Sequence, residues 1–73
     1  MSEVIFNGAL VRRLRLAQGH SLTGFADRIG MSASYLAKLE RGERRHPSFA
    51  SVCRITDGLG IPAAVLARLG DDL

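Results

Sequence analysis

Tryptophan is absent from this 73-residue sequence, cysteine occurs once and proline twice. A single thiol, Cys53, cannot close an internal disulfide, so the fold must stand on packing, and a reducing compartment is expected. The only aromatics are Phe6, Phe25, Tyr35 and Phe49, too few to offer stacking platforms for unpaired RNA bases. No apolar run approaches the roughly 18 residues of a membrane span. No basic stretch precedes an apolar core at the N-terminus, since Arg12 and Arg13 follow Val4-Ile5-Phe6, so a secretory signal is not expected either. His20, His46 and Cys53 are the only soft metal ligands, at spacings that match no zinc pattern. Serines and aspartates form no nucleophile–base group, and no glycine-rich phosphate loop is present. The expectation is therefore not an enzyme, with no metal, no cofactor, no membrane partner and no evident small-molecule ligand.

What is present is a small apolar complement and an uneven charge. At 47% apolar, the chain can build one compact core, although a domain of this size hides only about 60% of its unfolded surface. One domain over 1–73 is expected, with 1–7 as an N-terminal arm. Residues 12–54 carry nine basic side chains (Arg12, Arg13, Arg15, Arg28, Lys38, Arg41, Arg44, Arg45, Arg54) against three acidic ones (Asp27, Glu40, Glu43). Residues 55–73 carry Arg68 against Asp57, Asp71 and Asp72. A basic middle with an acidic tail points to a polyanion surface and a separate end available to another protein. The plainer alternative is an arginine-rich solvated face.

Glycines and caps divide the chain into five short helical segments. Residues 9–17 place Leu10, Leu14 and Ala17 on one stripe with Val11 beside them, after a cap at Asn7 and before Gln18-Gly19. Ser21 caps a second segment bearing Leu22, Phe25, Ala26 and Ile29, which stops at Gly30. Ser32 opens a third, with Leu36 and Leu39 inward and Gly42 as its close. Pro47-Ser48 starts a fourth with Phe49, Val52, Cys53 and Ile55 inward; Asp57-Gly58 and Gly60 are expected to break it, leaving Leu59 past its end. Pro62 suits the first turn of a fifth, carrying Val65, Leu66 and Leu69. No stretch alternates at period two over a useful length. The expected class is all-α, a compact five-helix bundle.

Residues 22–41, LTGFADRIGMSASYLAKLER, have a more specific grammar. Phe25, Ile29, Leu36 and Leu39 recur at the spacing that glues two helices together, and Ala26 is small where they approach. Gly30 sits at the bend, where a left-handed backbone costs a residue without Cβ nothing. Met31 plugs the inside of the turn and Ser32 caps the third helix. Two helices crossing through such a turn form a helix-turn-helix, whose second helix enters the DNA major groove.

From Leu10 to Leu66 the chain resembles the phage-repressor and Cro-type helix-turn-helix family, also called the XRE family. The resemblance lies in LRLAQGHSL, FADRIGMS, YLAKLERGERR, HPS and LGIP, in that order with family-like gaps. It implies a lambda-repressor-like bundle with the helix-turn-helix at helices 2 and 3. It also implies a prokaryotic or phage-type, cytoplasmic and nucleoid-associated regulator of transcription that binds palindromic double-stranded DNA as a homodimer. It points to Ala33, Ser34, Tyr35 and Lys38 as base-reading residues. Ala33 offers a methyl, Ser34 a hydroxyl, and Lys38 reaches for guanine O6 and N7. Tyr35 meets a phosphate or a base, or else covers the helix packing. Arg44 and Arg45 resemble positions that grip the backbone, and Arg41, Thr23 and Arg12 are assigned to the backbone as well. Arg12 and Arg13 equally suit a wet face, and His46 a phosphate contact or a solvated loop. Arg15 and Glu40 match a family salt bridge joining helix 1 to the end of helix 3. In one place the sequence departs from the family: Leu22 stands where glutamine commonly touches phosphate. Either that contact is lost or Thr23 and the amides opening helix 2 replace it.

The reading is a small repressor or controller protein. The rival from another class is an antitoxin-like or anti-repressor module that captures a protein, with DNA binding secondary; the short acidic tail speaks against it. Val65, Leu66 and Leu69, within the segment 61–73, are expected to share between completing the core and forming a dimer seam.

Overall fold

A computed structural model describes residues 6–65. Among them are four helices, α1 (Gly8–Ala17), α2 (Leu22–Ile29), α3 (Ala33–Glu40) and α4 (Phe49–Leu59), and residues 63–65 begin another helical turn after Pro62. Each helix opens on a side chain that satisfies an otherwise orphaned backbone N–H. Asn7 Oδ1 accepts from Leu10, Ser21 Oγ from Gly24, Ser32 Oγ from Tyr35 and Ser48 Oγ from Ser51, at 3.0–3.1 Å. Such caps contribute about 1 kcal/mol each, which matters for helices of eight to eleven residues. One cluster forms the core: Phe6, Val11, Phe25, Ala26, Ile29, Leu36, Leu39, Ile55 and Leu59.

Four sequence expectations are corrected. First, Ala17 is exposed, and the buried face of α1 runs through Gly8, Val11 and Arg15 rather than through the leucines, which flank it. A buried arginine in the last turn displaces the stripe that apolar periodicity suggests. Second, Phe49 is 77% exposed, not inward. Burial rises along α4, from exposed Phe49 and Ala50 through half-buried Val52 and Cys53 to buried Ile55, Thr56 and Leu59, because only its later turns lie on the core. Third, Asp57-Gly58 do not break α4, and Leu59 lies inside it. A Cβ at residue 58 would stand 2.6 Å from Ile29 Cγ2 and 3.0 Å from Phe25 Cζ, so this glycine is a spacer that lets α4 reach α2. Its poor helix propensity, about 1 kcal/mol, is the cost of that approach. Fourth, Phe6, assigned to an arm, is buried in the core, and its N–H donates to the Arg45 carbonyl at 3.3 Å. Leu66 and Leu69 lie outside the described residues.

Candidate nucleic-acid interface

The α2–α3 turn closes as its residue types demand. Gly30 adopts φ 72°, and the Met31 N–H donates to the Ala26 carbonyl at 2.9 Å. Ala26 is fully buried between the helices, and Met31 packs against the core. Leu22, in the place of the family's glutamine, also packs there. The result is a short α3 whose inner face, Leu36, Leu39 and Glu40, is buried.

On its outer side, Ser34 is exposed and Lys38 half-buried one turn later, with exposed Arg41 after the last turn. These positions, spaced four and three apart, share a face. Ala33 and Tyr35 are half-buried and pack against the core, which limits how much of the tyrosine ring is available to a ligand. The chain after α3 folds back on it: the N–H groups of Glu43 and Arg44 both donate to the Lys38 carbonyl, at 2.9 and 3.3 Å. Arg45 Nε donates to the Gly42 carbonyl at 3.3 Å, and Phe6 holds the Arg45 carbonyl. Ser34, Lys38, Arg41, Arg44 and Arg45 are thus gathered along α3 and the loop that closes it. Arg12 and Thr23 are exposed on α1 and α2; among the described residues neither is tied to that group by a hydrogen bond or ion pair.

The position of α3 is set by a buried ion pair. Arg15 Nε and Nη2 donate to Glu40 Oε2 and Oε1 at 2.8 and 2.9 Å, while Nη1 donates to the His20 carbonyl at 2.9 Å. With Arg15 5% and Glu40 7% exposed, every strong donor and acceptor in this pair must be met, and no buried side-chain polar atom among the described residues lacks a partner. The hydrogen bond to Glu40 and the attraction of its charge raise the Arg15 pKa, against the opposing effect of burial. Next to the pair, the backbones touch. A Cβ on Gly8 would fall 1.8 Å from the Leu39 carbonyl oxygen, so only glycine lets α1 start against the end of α3.

Sequence reasoning missed three features. Glu43 pairs with Arg41, raising the arginine pKa and lowering its own, chiefly through their hydrogen bond; a competing carboxylate therefore sits among the candidate backbone contacts. Gln18 Nε2 donates to the Leu59 carbonyl at 2.9 Å, joining the end of α1 to the end of α4. Arg54 Nη1 donates to the Gly30 carbonyl at 3.1 Å. Only the first had a signal in sequence, an opposite charge two residues away; the others depend on helix packing.

Residues 8–69 match the family model described as a helix-turn-helix domain. The chain belongs to the helix-turn-helix family. It is 39% identical over 62 residues to an uncharacterized HTH-type transcriptional regulator of Mycobacterium tuberculosis. That match covers 85% of this chain but 24% of the relative, so the chain spans about a quarter of the mycobacterial protein. Two solved helix-turn-helix structures are similar. One is SinR of Bacillus subtilis, the master regulator for biofilm formation, in complex with DNA: TM-score 0.78, 27% identity, covering 81% of this chain and 94% of that one. The other is the restriction-modification controller protein C.AhdI from Aeromonas hydrophila: TM-score 0.75, 32% identity, 81% and 88% covered. No helix among the described residues is long and apolar enough to cross a membrane.

Proposed function

We propose that this helix-turn-helix chain is a sequence-specific regulator of transcription that binds double-stranded DNA with α3 in the major groove. The observation that carries this reading is the joining of an outward α3 face to an arginine-bearing loop that folds back onto the same helix at the Lys38 carbonyl. The likeness to SinR, solved with DNA, supports it. Ala33, Ser34, Tyr35 and Lys38 meet base edges. Arg41, Arg44 and Arg45 neutralise phosphates, with Thr23 and Arg12 as outer backbone contacts. One such helix reads only a few base pairs, so two copies bind a palindromic site with their α3 helices about 34 Å apart. Val65, half-buried at the end of the described chain, begins the proposed seam, with Leu66 and Leu69 beyond it.

Selection of bound sequences from random duplexes tests the whole reading. An enriched site with dyad symmetry and half-sites one helical turn apart is the expected result. Affinity should also fall with salt, with a log–log slope of about −0.9 per phosphate neutralised. No enrichment, together with salt-indifferent binding, would remove the DNA reading. A site without a dyad, or a monomer on the tightest duplex by sedimentation, would remove the dimer.

A further inference from the structure

Arg54 connects α4 to the turn on which α3 depends. Its Nη1 donates to the carbonyl of Gly30, the left-handed residue that ends α2. Carbonyls at a helix C-terminus lack intrahelical partners and carry the negative end of the helix dipole, so a guanidinium there is doubly favoured. One turn further along α4, Gly58 brings the helix against Ile29 and Phe25. Residues 54 and 58 share a helix face. The same face of α4 therefore meets the last turn of α2 at two points, by close packing and by a charged hydrogen bond. No ion pair among the described residues draws Arg54 to a carboxylate, although Asp57 borders the same open groove of about 320 Å³ with Arg28 and Ile29.

The consequence falls on α3, which begins only three residues after Gly30. α3 rests on α1 and α2, and α4 rests on those same two helices. The Arg54 bond thus ties α4 to the turn that ends α2, three residues before α3 begins. We propose that Arg54 is a positioning residue for DNA reading: by holding the Gly30 turn it sets the angle at which α3 enters the groove, without itself touching DNA. This role rests on the proposed DNA binding by α3.

The test uses the full chain with Arg54→Gln and Arg54→Lys, on the selected duplex and on an unrelated one, across a salt series. Because this bond is solvent-exposed and reaches the affinity only through the part of its energy that differs between free and bound protein, its loss should weaken binding to the selected duplex by a few-fold. Binding to the unrelated duplex and the salt slope should hold, because the phosphate contacts remain. Arg54→Lys should recover part of the preference. Equal weakening on both duplexes with a slope shallower by about 0.9 would make Arg54 a phosphate contact and overturn the proposal. A lower melting temperature with an unchanged ratio between duplexes would also overturn it, as plain stability. Amide exchange gives a reading without DNA: the Met31 N–H should exchange faster in Arg54→Gln relative to the core amide of Leu36, and an unchanged rate would refute the link. A wild-type protein with no preference for any duplex would overturn the DNA reading and this role together. A wild-type preference that Arg54→Gln leaves intact would overturn the role alone.

Discussion

Two ion pairs lie side by side at the end of α3, and they do opposite things. Glu40 faces inward to Arg15, where water is excluded and three hydrogen bonds fix the guanidinium between α1, the α1–α2 loop and α3. Arg41, the next residue, faces outward to Glu43, where both side chains are more than half exposed. The buried pair holds a geometry, because removing either partner strands a charge in a dry site. The exposed pair holds little, because water and salt compete for both charges. One helix end thus carries its buried anchor and an outward charge on consecutive residues. Adjacent side chains on a helix point about 100° apart, which makes that division possible.

The sharpest way to break this comparison is to delete each anchor. Arg15→Ala should cost about 3–5 kcal/mol in urea unfolding, since it leaves the Glu40 carboxylate buried and unpaired. The double change Arg15→Met with Glu40→Leu should recover most of that loss, whereas Arg41→Ala should leave the unfolding midpoint unmoved. Equal losses at Arg15 and Arg41 would show that burial does not separate the two pairs. The Arg15 pKa is raised, so its stabilisation is fully present below the ordinary arginine range and is lost only as pH rises through the raised value. Stability conferred by this arginine should therefore be flat across neutral pH.

Gly8→Ala tests the backbone contact beside the buried pair. The added methyl collides with the Leu39 carbonyl, and separating α1 from α3 should cost about 1–3 kcal/mol in thermal or urea melts, despite alanine's better helix propensity. A stabilised Gly8→Ala protein would mean that α1 can shift freely.

The outward side is tested by binding. Lys38→Ala and Ser34→Ala should relax base preference at particular positions of the selected site, each by about 1–3 kcal/mol. Arg45→Ala should weaken all sequences nearly equally. An unchanged preference profile in Lys38→Ala would move the reading face elsewhere.

The smallest effect belongs to Glu43. Glu43→Gln frees Arg41 for phosphate and should raise affinity for unrelated duplexes modestly at low salt, measured by fluorescence anisotropy. Because the Glu43 pKa is lowered, the pair's contribution is present above the ordinary glutamate range and disappears as pH falls through the lowered value. The difference between the wild type and Glu43→Gln should shrink on acidification.

Much of this was legible in the sequence. Asn7, Ser21, Ser32 and Ser48 cap helices wherever a short side-chain acceptor precedes three free N–H groups, a relation that needs only local spacing. Gly30, Ala26, Met31 and the Phe25–Leu39 pattern marked the paired helices for the same reason. The helix-turn-helix and the Arg15–Glu40 anchor were therefore readable, the first from residue grammar and the second from family resemblance. What only the tertiary structure decided depends on which surfaces meet. Phe49 is apolar and in register yet lies out in solvent, because α4 runs past the helices that would cover it. Gly58 looks like a breaker and is a spacer, because Ile29 and Phe25 occupy the place of its missing Cβ. Arg54 looks like one more surface charge and binds the Gly30 carbonyl, 24 residues away. Spacing along a chain determines what a residue can do for its own helix. Only the packed neighbour, brought from far along the chain, determines what it does for the rest.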